Sequence, residues 1–146
     1  MKQANRPLSV TQIEEFEEHL GCRLPEVYLK FLQTQNGGRP ENGGFVILRD
    51  GEDYGILVDW FLGLQEGDCD HLIEYQVDYK GRVPANLLPI AHDSFGNFIC
   101  LSVWGRDIGK VYYWDHEEEA EEGETPDYHN VYFVADDFQS FLNSLS

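Results

Sequence analysis

The hydrophobic period of this chain changes at Asn36-Gly37-Gly38, and that change limits the folds open to it. Upstream, apolar residues recur at helical spacing. Ile13, Phe16 and Leu20 fall on one face of a helix expected over Ser9–Leu20, with the glutamates opposite. Thr11 and Glu14 fit a capping box, and Ser9 with Gln12 offers a second register. Gly21 ends this helix. Pro25 suits the start of the next, whose stripe is Val27, Tyr28, Phe31 and Leu32. Downstream, apolar runs become short and are punctuated by turns. Phe45–Leu48 reads as a strand, Arg49–Gly55 as an acidic turn, and Ile56–Leu64 as a second strand. Asp68–Lys80 reads as a third helix, opened by an Asp cap and stopped at Gly81. The chain returns through Leu87–Ile90. Phe98–Trp104 and Lys110–Trp114 flank the turn GRDIG and predict an antiparallel hairpin. Val131–Val134 is a last strand, and Asp137–Leu145 a terminal helix with Phe138, Phe141, Leu142 and Leu145 on one face.

The expected order is α-α-β-β-α-β-β-β-α. Neighbouring strands joined by short turns make a mainly antiparallel sheet, hence one α+β domain over residues 1–146. A chain of this length buries enough surface for a single core. The longest apolar runs fall far short of a membrane span, and MKQANRPLSV has no apolar signal region. Cys22, Cys69 and Cys100 form neither a CxxC nor a Cys/His cluster, which predicts a reduced, cytoplasmic protein without a metal or cofactor.

Charge narrows the partners. Ten Lys and Arg stand against 27 Asp and Glu, a net charge of −17. Residues 1–40 carry five of each sign, so the excess lies wholly in residues 41–146. Such a surface repels phosphate backbones and anionic lipid, and favours a basic partner. The densest run is DHEEEAEEGETPD, Asp115–Asp127, expected to be an exposed, mobile loop between two strands. It is either a solvated loop or a docking surface for a basic protein. Neither this run nor RDGEDYG has the ligand spacing of an EF-hand loop.

Other chemistry is weakly signalled. His92, Asp93 and Ser94 are consecutive and cannot converge as a triad, and G-x-S-x-G is absent. Phe95-Gly96-Asn97 reads as turn chemistry. The glycine pairs Gly37-Gly38 and Gly43-Gly44 lack the lysine of a phosphate loop. Strand alternation puts Tyr112 and Trp114 opposite Val111 and Tyr113, so one aromatic pair is either partly exposed or covered by a helix.

Three ordered blocks carry a family resemblance. The first is Ile13, Glu17, Gly21, Leu24-Pro25, Tyr28, Phe31-Leu32 and Asn36-Gly37-Gly38. The second is Asp93, Gly96-Asn97 and Leu101, followed by Gly109, Val111 and Tyr113 to Glu117. The third is the tail ADDFQSFLNSL, with Asp137 where the family usually has Ser. Together they resemble the SUKH superfamily, named in part for the fungal Smi/Knr cell-wall regulators. The resemblance implies a non-enzymatic protein. Many bacterial members look like immunity proteins that bind and block a polymorphic toxin domain, often a nuclease. The fungal relatives imply a regulatory scaffold with a non-toxin partner instead. A hydrolase using clustered carboxylates is a third reading, but a mobile loop holds catalytic geometry poorly. On the immunity reading, the expected partner contacts are Asp50, Glu52, Asp53, Asp115, Glu117, Glu118, Glu119, Glu121, Glu122 and Glu124, with Trp104 or Trp114 as anchors.

Overall fold

The computed structural model describes residues 6–65, 70–121 and 123–146 of the 146-residue chain. Its elements are α1 (Val10–Leu20), α2 (Glu26–Thr34), β1 (Gly44–Arg49), β2 (Glu52–Leu57), β3 (Trp60–Phe61), α3 (Leu72–Asp78), β4 (Leu87–His92), β5 (Phe98–Ser102), β6 (Val111–Trp114), β7 (Val131–Ala135) and α4 (Phe138–Ser144). A 3-10 turn occupies His116–Glu118. The fold is α+β, and every strand pairing is antiparallel.

The helices start and stop where their sequences dictate. Ser9 caps α1 through a reciprocal pair with Gln12, so the second capping register is the one used. Gly21 closes α1, and Asp137 caps α4 by accepting from the Ser140 amide. Helix α3 begins four residues later than expected. Its cap is His71, whose Nδ1 accepts from the Ile73 amide; Asp68, the expected cap, lies outside the described residues. Asn36-Gly37-Gly38 does more than stop α2. Gly38 exchanges backbone hydrogen bonds with Phe61, tying the helical layer to β3. The buried Asn36 side chain holds the Arg6 carbonyl and the Leu64 amide.

Strands β3 to β7 form one sheet in sequence order, and β1–β2 is a separate hairpin. Three expectations about the strands need correction. The acidic stretch Arg49–Gly55 is a turn only at Asp50-Gly51, both at positive φ, and most of the rest is β2. Such two-residue turns match strand twist, so the pairing continues through Glu52, Asp53 and Tyr54. The single strand expected over Ile56–Leu64 breaks at Val58-Asp59. Val58 still bonds Gly43 beside the hairpin, whereas Asp59 already bonds His92 of β4. The return through Leu87–Ile90 is a strand, β4, despite Pro89. Proline is accommodated because β3 pairs only with Ala91 and His92, and the register shifts between Pro89 and Ala91.

Both faces of the sheet are covered. Ile90, Ile99, Leu101, Val111 and Tyr113 meet Ile13, Phe16, Tyr28 and Leu32 of the N-terminal helices and Phe138 and Phe141 of α4. Phe45 and Ile47 of the hairpin join this core, and Phe45 packs edge-on against Phe141 at 5.4 Å. Burial of each such side chain contributes roughly 1.5–3 kcal/mol. On the other face Phe98, Cys100 and Trp114 lie beneath Val83 and Leu87, with Tyr75 and Tyr79 packed against them. Of the aromatic pair on β6, Trp114 is fully buried and Tyr112 stays partly exposed, so each of the two outcomes holds for one member. No helix among the described residues is long and apolar enough to cross a membrane.

Candidate functional site: a cleft between the hairpin and an acidic turn

The inner face of the hairpin does not close fully onto the sheet. A cleft of about 510 Å³ remains between Tyr54–Leu57 of β2 and the turn Asp93–Asn97. Tyr113, Asp115, Glu117 and Arg49 line the rest of it.

Its floor is a polar lattice that also explains the second block of sequence signals. Asp93 is buried, and its carboxylate accepts four hydrogen bonds. Oδ1 takes the amides of Phe95 (2.8 Å) and Asn97 (3.0 Å). Oδ2 takes Asn97 Nδ2 (3.0 Å) and the Tyr113 hydroxyl (2.8 Å). Burial first, and then the Asp93 carboxylate, hold the Tyr113 phenol well above its ordinary pKa. Asn97 Oδ1 in turn accepts the His116 amide at 3.0 Å. Asp115 caps the 3-10 turn through the Glu117 amide, and its backbone is locked to Asn130 in both directions. Three separate turns are therefore welded together by Asp93, Asn97, Asp115 and Asn130. Their polar groups are satisfied inside the fold, by one another, by neighbouring amides, by Tyr113 and by Arg49, which is the chemistry of a scaffold.

Arg49 is the keystone of the charged surface. It ends β1, and its guanidinium donates to Asp115 Oδ2 (2.9 Å) and to Glu118. It also lies over the rings of Tyr132 and Tyr54. The contact brings the hairpin tip, with exposed Asp50, Glu52 and Asp53, against the start of the acidic run. Two acidic segments more than sixty residues apart thereby form one surface. Glu119 is held by a two-point contact with Arg82, which lies over the Tyr79 ring. His129 is held between Asp127 and the Glu118 carbonyl. The acidic run, expected as an exposed, mobile loop, is largely exposed but is tied down through Glu119. Glu117, Glu121 and Glu124 are exposed and form no ion pair among the described residues. Glu122 lies outside the described residues.

Two expected contact residues are buried. Trp114 is 0% exposed, stacked on Phe98 in the second core, so it cannot anchor a partner. Asp115 is also buried, and its carboxylate serves Arg49 and the Glu117 amide. Trp104 is 51% exposed but precedes the turn at the far end of β6, away from the cleft. The exposed aromatic residues that border the cleft are Tyr54, 54% exposed, and Phe95, 78% exposed. Sequence reasoning missed both because each sat in a segment read as a turn. A large ring in a polar turn, with no helix or strand to bury it, was the available signal.

No catalytic constellation emerges among the described residues. His92 turns from Ser94 and bonds Asp70 at 2.9 Å, and no three metal-ligating side chains cluster. Burial raises the thiol pKa of both Cys100 and Cys22, while Cys69 lies outside the described residues.

Comparison with known proteins agrees with this architecture. A protein of Pseudomonas syringae pv. tomato, known from its crystal structure, superposes with a TM-score of 0.54 at 21% identity. The match covers 83% of this chain and 80% of that one, and it shows a shared fold. The SPbeta prophage-derived uncharacterized protein YokK of Bacillus subtilis is 29% identical over 152 aligned residues, covering 92% of this chain and 72% of that protein. The SMI1/KNR4 family profile (SUKH-1) matches residues 7–144. With helices, lattice and acidic run all inside the matched span, the chain belongs to the SMI1/KNR4 (SUKH-1) family.

Proposed function

We propose that this protein is a non-enzymatic, cytoplasmic immunity protein of a bacterium, which binds and neutralises a toxin domain with a basic face, a nuclease in the first instance. The observation that carries the reading is the joining of the hairpin tip to the acidic run through Arg49, in a member of this family. A nuclease must present cations to phosphate. An array of carboxylates held at fixed positions competes for those cations, and opposite potentials speed the encounter. The similarity to a prophage-derived protein supports a setting of conflict between genomes.

The test is survival. The C-terminal domain encoded beside this gene is expressed in cells with and without this chain. Killing that this chain rescues is the expected result. A harmless neighbour, or killing that persists, removes the immunity reading and leaves the regulatory scaffold.

A further inference from the structure

One wall of the cleft is an unpaired strand edge. Arg49 and Glu52 flank a two-residue turn, so the pairs Arg49–Glu52, Ile47–Tyr54 and Phe45–Ile56 exchange hydrogen bonds across the hairpin. The N–H and C=O groups of Asp53, Gly55 and Leu57 then point away from β1. Among the described residues no other backbone group pairs with them. An open edge of this kind is a template for another strand. The opposite wall is the turn carrying the exposed Phe95 ring, so the space beside the edge is bounded on two sides. The hairpin's outer face exposes Val46, Leu48 and Leu57.

We infer that the β2 edge captures an extended, cationic segment of the partner protein, which adds as a strand in the cleft between β2 and the Asp93–Asn97 turn. Charge selects this occupant. Of the acids lining the cleft, Glu117 is exposed and without an ion pair, whereas Asp93 and Asp115 are buried and already bonded; the lining cation, Arg49, is paired with Asp115 and Glu118. Glu52 and Asp53 stand beside the edge. A second copy of a chain carrying −17 would meet its own repulsion at this edge. A basic strand meets none. Main-chain bonds to Asp53, Gly55 and Leu57 supply binding with little dependence on sequence. Alternate side chains of the incoming strand face the acids on one side and the Phe95 ring on the other.

The inference rests on the reading of the partner as a basic protein, but its test needs no toxin. The probe is a capped peptide alternating lysine and valine, equal in length to β2, titrated into the whole chain and followed by amide NMR. The expected result is saturable shifts at Tyr54–Leu57 and Phe95–Asn97, with slowed hydrogen exchange at Asp53, Gly55 and Leu57. N-methylating the peptide on its paired amides, or replacing lysine by glutamate, is expected to weaken binding about tenfold or more. Gly55→Pro, which removes an outward donor, is expected to do the same; if that variant fails to fold, the N-methylated peptide on the native chain decides. No binding, equal binding of the N-methylated peptide, or shifts confined elsewhere overturns the inference. So does a dimer of the chain in which the same amides are already protected. Rescue from a toxin without peptide binding overturns strand capture and leaves neutralisation standing. Peptide binding without rescue does the reverse.

Discussion

Asp93 is 5% exposed and accepts from two amides, one carboxamide and one phenol. Removing the carboxylate leaves the Tyr113 hydroxyl and the Asn97 side chain short of an acceptor in a buried setting. Asp93→Ala is expected to cost about 2–4 kcal/mol, and Tyr113→Phe about 1 kcal/mol, read from urea unfolding midpoints. The double variant is expected to cost less than the sum, because both changes act on one shared bond. Asp107 makes a different kind of cluster in the β5–β6 turn. It accepts the hydroxyls of Ser102, Tyr112 and Tyr128. Partial burial raises its pKa, but those bonds outweigh the burial and the net shift is downward. A depressed carboxylate contributes stability that is fully present above its unfolded value, near 3.9, and is lost as pH falls through the lower folded value. Between neutral pH and pH near 3, native protein is therefore expected to lose more stability than Asp107→Asn, as measured by the two unfolding midpoints.

Among the elements, the β1–β2 hairpin depends on contacts at its two ends. Gly44 exchanges backbone bonds with Ser146 at one, and Arg49 grips the 3-10 turn at the other. Arg49→Met keeps the apolar stem but strands Asp115, whose side chain is only 6% exposed. The expected loss is about 1–3 kcal/mol, with faster hydrogen exchange confined to the tip end of the hairpin. The acidic run has its own clamp at His129, whose ring nitrogens face Asp127 and the Glu118 carbonyl. Those partners, Asp127 foremost, raise its pKa above the ordinary value of 6.5. The clamp is complete below that value and is lost as pH rises through the raised one. A His129 titration midpoint at or below 6.5 by NMR would contradict it. The same elements show what the sequence could carry. Helix ends were legible because capping side chains and glycines act locally: Ser9, Gly21 and Asp137 stand where expected. So was the hairpin around GRDIG. Strand β4 was hidden because Pro89 argues against a central strand, and only the shortness of β3 excuses it. Strand β2 was hidden because its residues face solvent and show no apolar alternation; the Asp50-Gly51 signal was present but read as part of a longer turn. The cleft itself was not legible. It depends on Arg49 meeting Asp115 and Glu118 across the fold, which no local pattern announces.

At the scale of the whole molecule, the negative field is shaped by where the cations go. Residues 41–146 contain five bases. Three of them, Arg49, Arg82 and Lys110, are paired with Asp115 and Glu118, Glu119, and Asp136 respectively. Neutralising Glu52, Asp53, Glu117, Glu121 and Glu124 together removes charge without touching those pairs. Stability is expected to stay nearly constant, while association with a basic partner slows and its dependence on salt flattens, as read by stopped-flow mixing over a range of salt. The lattice of Asp93, Asn97, Asp115 and Asn130 has a consequence for how such a chain changes over generations. Shape is maintained by residues that point inward and are satisfied within the fold, whereas Glu52, Asp53, Glu117, Glu121 and Glu124 point outward and form no ion pair among the described residues. The same scaffold can therefore have its outer lettering rewritten, one exposed side chain at a time, and remain folded at every step.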